Sequence, residues 1–146
     1  FFARLKIALA VYEKMKRNQF GRIIFVSSST AFQPIPLMAI YASSNSALLF
    51  LGRAWNMEIE KNGVKIHTIC PSGMDTNFQE KSGVKKIEGE KLLYPKDVVK
   101  QSFQAIDKSK TIIIISFRTK IMRLISTILP DTISDRLWFK MMNKLR

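Results

Sequence analysis

Three short runs rich in β-branched and aromatic residues, each separated by longer stretches with helical spacing, constrain this chain most. Arg22-Ile23-Ile24-Phe25-Val26 opens the first, and the other two fall at about 64–70 and 112–116. Strands that alternate with helices need crossover connections, which give a parallel sheet. Near-continuous apolar strands imply that both faces are covered. The expected fold class is therefore α/β, a doubly wound parallel sheet with strands at about 22–27, 64–70 and 112–116. Three strands leave a raw edge, which is awkward for an independent domain. Missing upstream strands are expected. The opening Phe-Phe-Ala-Arg-Leu-Lys, without Met and already inside an amphipathic pattern, points the same way.

Between the strands, Leu5, Leu9, Tyr12 and Met15 recur at helical spacing opposite Lys6, Glu13, Lys14, Lys16 and Arg17, predicting a helix over about 2–17. Gly21 reads as its breaker. A long helix is expected over about 40–61, with Ala47, Leu48, Leu51, Ala54, Trp55, Met57 and Ile59 as its apolar positions and Asn62-Gly63 as its stop. The polar stretch at about 71–91 contains glycine and reads as a mobile loop. Pro95 suits the first turn of a helix over about 94–107. Two basic amphipathic helices follow, at about 119–129 and 131–144, divided by Pro130.

Charge and cysteine use narrow the setting. The net charge of +13 comes from lysine and arginine spread along the chain, which reads as a compositional bias rather than a dedicated site. The densest part is 118–146, where seven Lys/Arg face only Asp131 and Asp135. An anionic membrane surface is one partner for such a stretch. The simpler reading, favoured here, is a solvated face on helices whose other side is core. No nucleic-acid partner is expected. The single cysteine, Cys70, allows no internal disulfide, and a cytoplasmic setting is expected. Arg118, Lys120 and Arg123 interrupt the most apolar stretch, so no spanning helix is expected.

In open parallel sheets, ligands bind beyond the carboxyl ends of the strands. Three segments belong there: Ser27-Ser28-Ser29, Tyr41-Ala42-Ser43-Ser44-Asn45, and Pro71-Ser72-Gly73-Met74-Asp75-Thr76-Asn77-Phe78. Tyr41 and Asn45 are four apart and share a helix face. Ser28 precedes Tyr41 by thirteen residues, across a loop with Pro34 and Pro36 that can fold back. His67 stands alone mid-strand with no companion ligands, so no metal site is expected. Cys70 reads as a small buried hydrophobe. The Met141-Met142 pair has two readings, the wall of an apolar substrate channel and packing, of which packing is the simpler.

These segments resemble the short-chain dehydrogenase/reductase family: a strand ending in Ser-Ser, a Tyr-x-x-x-Lys opening the next helix, then a strand ending in Pro-Gly with a Thr beyond. The resemblance covers essentially the whole chain and implies the C-terminal part of one Rossmann-like domain. It implies further that Ser28 bonds the substrate oxygen and that Tyr41 is the acid/base. Asn45 stands at the family lysine position, beside the cofactor's ribose. Pro71, Ser72, Met74 and Thr76 would contact the nicotinamide end, with Ser72 where the family usually has Gly. The cofactor implied is NAD or NADP, and the substrate a small carbonyl or alcohol. A homo-oligomer is implied as well, commonly a dimer through the long helix bearing Tyr41, with the substrate chosen by the loop after Phe78 and the C-terminal helices.

Two departures matter. A tyrosine's reference pKa is about 10, and the family lysine holds an ammonium close by that favours the phenolate. Asn45 is neutral and supplies no comparable field, although it can still hydrogen-bond. The family's glycine-rich phosphate turn is absent from these residues, and its helix asparagine would fall just before Phe1. The expected activity is NAD(P)-dependent oxidoreduction by the intact protein, this chain alone being inactive. The alternatives are an impaired binding or scaffold protein of the same fold, and a membrane-surface enzyme using its basic helices.

Overall fold

A computed structural model of the chain describes residues 1–78 and 92–144. Helix α1 (Phe2–Arg17) leads into strand β1 (Gly21–Val26), and helix α2 (Ala39–Glu58) into strand β2 (Val64–Ile69). Helix α3 (Pro95–Asp107), strand β3 (Ile112–Ile113) and helices α4 (Phe117–Ile128) and α5 (Asp131–Asn143) complete it. The sheet is parallel throughout, in the order β1-β2-β3, with Ile23 opposite Ile66 and Thr68 opposite Ile112. This is the Rossmann-like α/β arrangement. Most of the expected mobile loop, residues 79–91, lies outside the described residues.

One face of the sheet packs on α1 and α2. Ala8, Tyr12, Leu48, Trp55 and Ile59 meet Ile23, Phe25, Val64 and Ile66 there, with the Tyr12 and Trp55 rings edge to face at 5.1 Å. On the other face, Ile106 of α3 covers Ile69 and Ile113. Buried side chains of this size stabilise by about 1.5–3 kcal/mol each. His67 is inside the sheet, its Nδ1 2.7 Å from the Lys110 carbonyl oxygen, tying β2 to the turn before β3.

The structure corrects several details. The burial of β1 alternates: Ile23 and Phe25 are buried, but Ile24 is 38% and Val26 53% exposed, because the apolar side of α3 covers Ile69 and Ile113 and leaves these two β1 side chains uncovered. In α1 the buried positions are Ala8 and Tyr12, with Leu9 outside. In α2 they are Ala42, Asn45, Leu48, Leu49, Gly52 and Trp55, while Met57 is exposed. The left-handed residue after α1 is Gln19 (φ 48°), not Gly21, which starts β1 against Met15. β3 stops at Ile113: β2 leaves the sheet after the Cys70 N–H bonds the Ile113 carbonyl at 2.8 Å, and Ser116 already caps α4. The long helix ends earlier than expected, followed by a 3-10 turn (Glu60–Asn62) and left-handed Gly63 at φ 67°.

Candidate active site at the strand ends

Beyond Val26 the chain stays on the sheet's edge by backbone bonds to the neighbouring segment. The Ser27 N–H donates to the Ile69 carbonyl and the Ser29 N–H to the Pro71 carbonyl, each at 2.8 Å. Both post-strand segments therefore run side by side. The Ser27 hydroxyl donates to the Asn45 backbone carbonyl at 2.9 Å, pinning this loop to α2. Ser28 is buried, and its Oγ accepts the Thr30 N–H at 3.2 Å, capping the 3-10 turn Ser29–Phe32. That turn sends the chain away so that it returns at Ala39, and Tyr41 enters the first turn of α2.

Tyr41 is half-buried, its ring 5.5 Å from that of Phe78 at a tilt of 40°. One turn on, Asn45 is buried, and its Nδ2 donates to the Tyr41 carbonyl at 2.9 Å. The amide is thus partly committed to its own helix. The 71–78 segment is held by Leu93, whose N–H donates to Gly73 and whose carbonyl accepts from Asp75. Thr76 is exposed, its Oγ1 accepting the Phe78 N–H at 3.3 Å.

A cleft of about 930 Å³ opens here and runs on along the open edge of β1, where Arg4, Ile7, Val11, Ile24 and Val26 line it. Ser28, Tyr41 and Asn45 line it, and so do Pro71, Ser72, Met74 and Thr76. Every residue singled out from sequence is thus on one concavity. Its lining also includes Phe78, the end of the third segment placed here from sequence, and Trp138, Met141 and Met142 of α5. Trp138, Met141 and Met142 repeat at helical spacing, a signal in the sequence that these three share one side of α5. Trp138 and Met142 also pack on Ile35 and Ala42, which anchors α5 beside Tyr41.

Cys70, one residue past β2, is fully buried against Ala31 and Leu49. Burial pushes its thiol up to about 12, outweighing the opposing Ser27 hydrogen bond and Arg123 charge. It is no nucleophile at neutral pH.

The sequence profile described as short chain dehydrogenase matches residues 1–86. The chain belongs to the short chain dehydrogenase family. Estradiol 17-beta-dehydrogenase 2 of Rattus norvegicus is 35% identical over 78 residues, which is 53% of this chain and 20% of that protein. A short chain dehydrogenase from Burkholderia cenocepacia, solved in complex with NADP, superposes with a TM-score of 0.78 at 19% identity, over 94% of this chain and 55% of that one. A 4-hydroxyisoleucine dehydrogenase complexed with NADH does so with a TM-score of 0.64 at 20% identity, over 79% and 53%. This short chain dehydrogenase sequence thus spans about half the length of those two structures and a fifth of the rat protein. The profile match covers Ser28, Tyr41 and Thr76, and α4 and α5 lie beyond it.

Proposed function

We propose that the protein carrying this chain is an NAD(P)-dependent oxidoreductase that reduces a carbonyl, or oxidises a secondary alcohol, on a small molecule. The observation that supports this most is that Ser28 and Tyr41, from separate elements, line one cleft beside the 71–78 segment. Hydroxyls, a carboxamide and loop backbone groups fit the nicotinamide and ribose end of NAD or NADP. Among the described residues no glycine-rich turn opens a helix, so nothing in them fits the pyrophosphate. The chain is accordingly proposed to be the C-terminal part of a single Rossmann-like domain. The exposed Ile24 and Val26 of β1 support that reading.

The cofactor supplies the hydride chemistry. The chain's own residues position and move protons. Ser28 holds the substrate oxygen, and Tyr41 passes a proton to or from it. Asn45 holds the ribose without lending the charge that a lysine would. Thr76 and the backbone of Pro71, Ser72 and Met74 grip the nicotinamide end. A dimer through α2 and a cytoplasmic location belong to the same proposal; exposed Phe50 and Met57, two turns apart on α2, support the dimer.

The test is steady-state kinetics of the full-length protein on a panel of ketones and secondary alcohols. Tyr41→Phe is expected to lower kcat/KM by at least about a hundredfold, the weight of a general acid. Asn45→Lys is expected to raise it. Full activity in Tyr41→Phe would sink the assignment, and a fall in Asn45→Lys would mean a lysine-independent mechanism. A second reading, a binding protein without turnover, rests on the neutral Asn45 and its bond to the Tyr41 carbonyl. Tight cofactor binding, followed by nicotinamide fluorescence, with no turnover on any carbonyl would favour it.

A further inference from the structure

Helix α4 is inside out for a helix on a protein surface. Its large apolar residues Phe117, Ile121, Leu124, Ile125 and Ile128 recur at the spacing of one helical stripe. All five are exposed, Phe117 by 75% and Ile128 by 71%. The side turned to the protein carries Thr119, Met122 and Ser126. Thr119 is the buried residue of the helix, and the Ser126 hydroxyl is folded back on the Met122 carbonyl at 2.9 Å. The expectation of a solvated basic face over an apolar core is overturned here: the apolar face is the one that looks outward.

The stripe continues across a shallow groove onto α5. Ile125 and Leu129 line that groove with Leu137, which is itself more than half exposed, as Ile133 nearly is. Exposed cations border the apolar surface. Arg118 and Lys120 flank the stripe on α4, and Arg136 and Lys140 lie next to Ile133 on α5. Helix α4 carries no acidic residue, and the acids of α5, Asp131 and Asp135, fall on the side opposite Ile133 and Leu137.

We infer that the α4–α5 pair is a docking surface for an anionic lipid membrane. The apolar stripe sinks to the level of the acyl boundary, and the flanking cations meet the headgroups. Charge decides between this and a second copy of the chain. Self-association through α4 would bring together two faces that hold cations and no acid, on a protein with a net charge of +13. An anionic headgroup layer satisfies both features at once. Among the described residues no helix is long and apolar enough to cross a bilayer, so the pair lies on the surface. The inference does not depend on the oxidoreductase reading.

The test is flotation of the full-length protein with phosphatidylcholine vesicles, with and without phosphatidylserine. Association is expected with the serine lipid only, and is expected to weaken as salt rises. Leu124→Glu combined with Ile128→Glu should reduce it by at least about tenfold. Each of Arg118→Ala and Lys120→Ala should reduce it roughly fivefold, which is the ~1 kcal/mol one cation contributes at such a surface. All four side chains are exposed, so unchanged thermal melts are expected. Equal flotation of wild type and the double glutamate variant would overturn the inference. So would equal binding to neutral vesicles, or a dimer that the glutamates dissociate while no vesicle binding is seen.

Discussion

Gly52→Ala sets two effects of known sign against each other. Gly52 sits mid-way along α2, and alanine there gains about 1 kcal/mol in helix propensity. The new Cβ would run into Thr68 Oγ1 and lie 3.3 Å from the Phe25 ring and 3.6 Å from Ile66 Cγ2. Thr68 cannot easily turn away. It is β-branched, 1% exposed, and stands on the central strand, paired on both sides. Relief must come from lifting α2 off the sheet. Overpacking of this kind costs about 1–3 kcal/mol, so against the gain of about 1 kcal/mol a net loss of up to about 2 kcal/mol is expected. For a domain of this size that lowers Tm by roughly 2–4 °C per kcal/mol. Denaturant unfolding followed by circular dichroism reads it, and Thr68→Ala serves as the partner change. With Oγ1 gone, Gly52→Ala should become neutral or stabilising, a coupling of at least about 1 kcal/mol. If Gly52→Ala stabilises the wild type and the Thr68→Ala background alike, α2 does not approach the sheet this closely. The placement of Tyr41 and Asn45 on that helix would then need revision.

Ser28→Ala should separate a local structural part from a catalytic one. Losing the cap on the Thr30 N–H costs about 0.5–2 kcal/mol, while kcat/KM is expected to fall at least about a hundredfold; a Tm change without a loss of turnover would remove Ser28 from the site. Cys70 gives a signed pH dependence. Its thiol, raised by burial from 9.0 to about 12, keeps its proton in the folded state at pH values where the unfolded chain has lost it. Stability contributed by Cys70 is therefore intact below about 9 and falls as pH rises towards 12, by about 1.4 kcal/mol per pH unit at most. Urea melts across that range should be flatter in Cys70→Ala, and an identical slope would show that the thiol is not so buried.

The sequence alone determined the class of fold. Alternating apolar runs and amphipathic stretches leave few arrangements besides a parallel sheet, and the bounds of α1 were legible because its periodicity is a local signal. The order Ser28, Tyr41, Thr76 was legible too, since each stands where a strand end or a helix start must put it. Tertiary structure decided what depends on a neighbour. The periodicity of α4 says that it has an apolar side but not which way that side faces, and only packing showed Thr119 inward and Leu124 outward. β1 reads as covered on both faces because the apolar content of a strand is indifferent to whether a helix reaches it. Likewise, Trp138 and Met141 became walls of the cleft only once α5 settled on Ile35 and Ala42, a contact between residues about a hundred positions apart that no local pattern encodes.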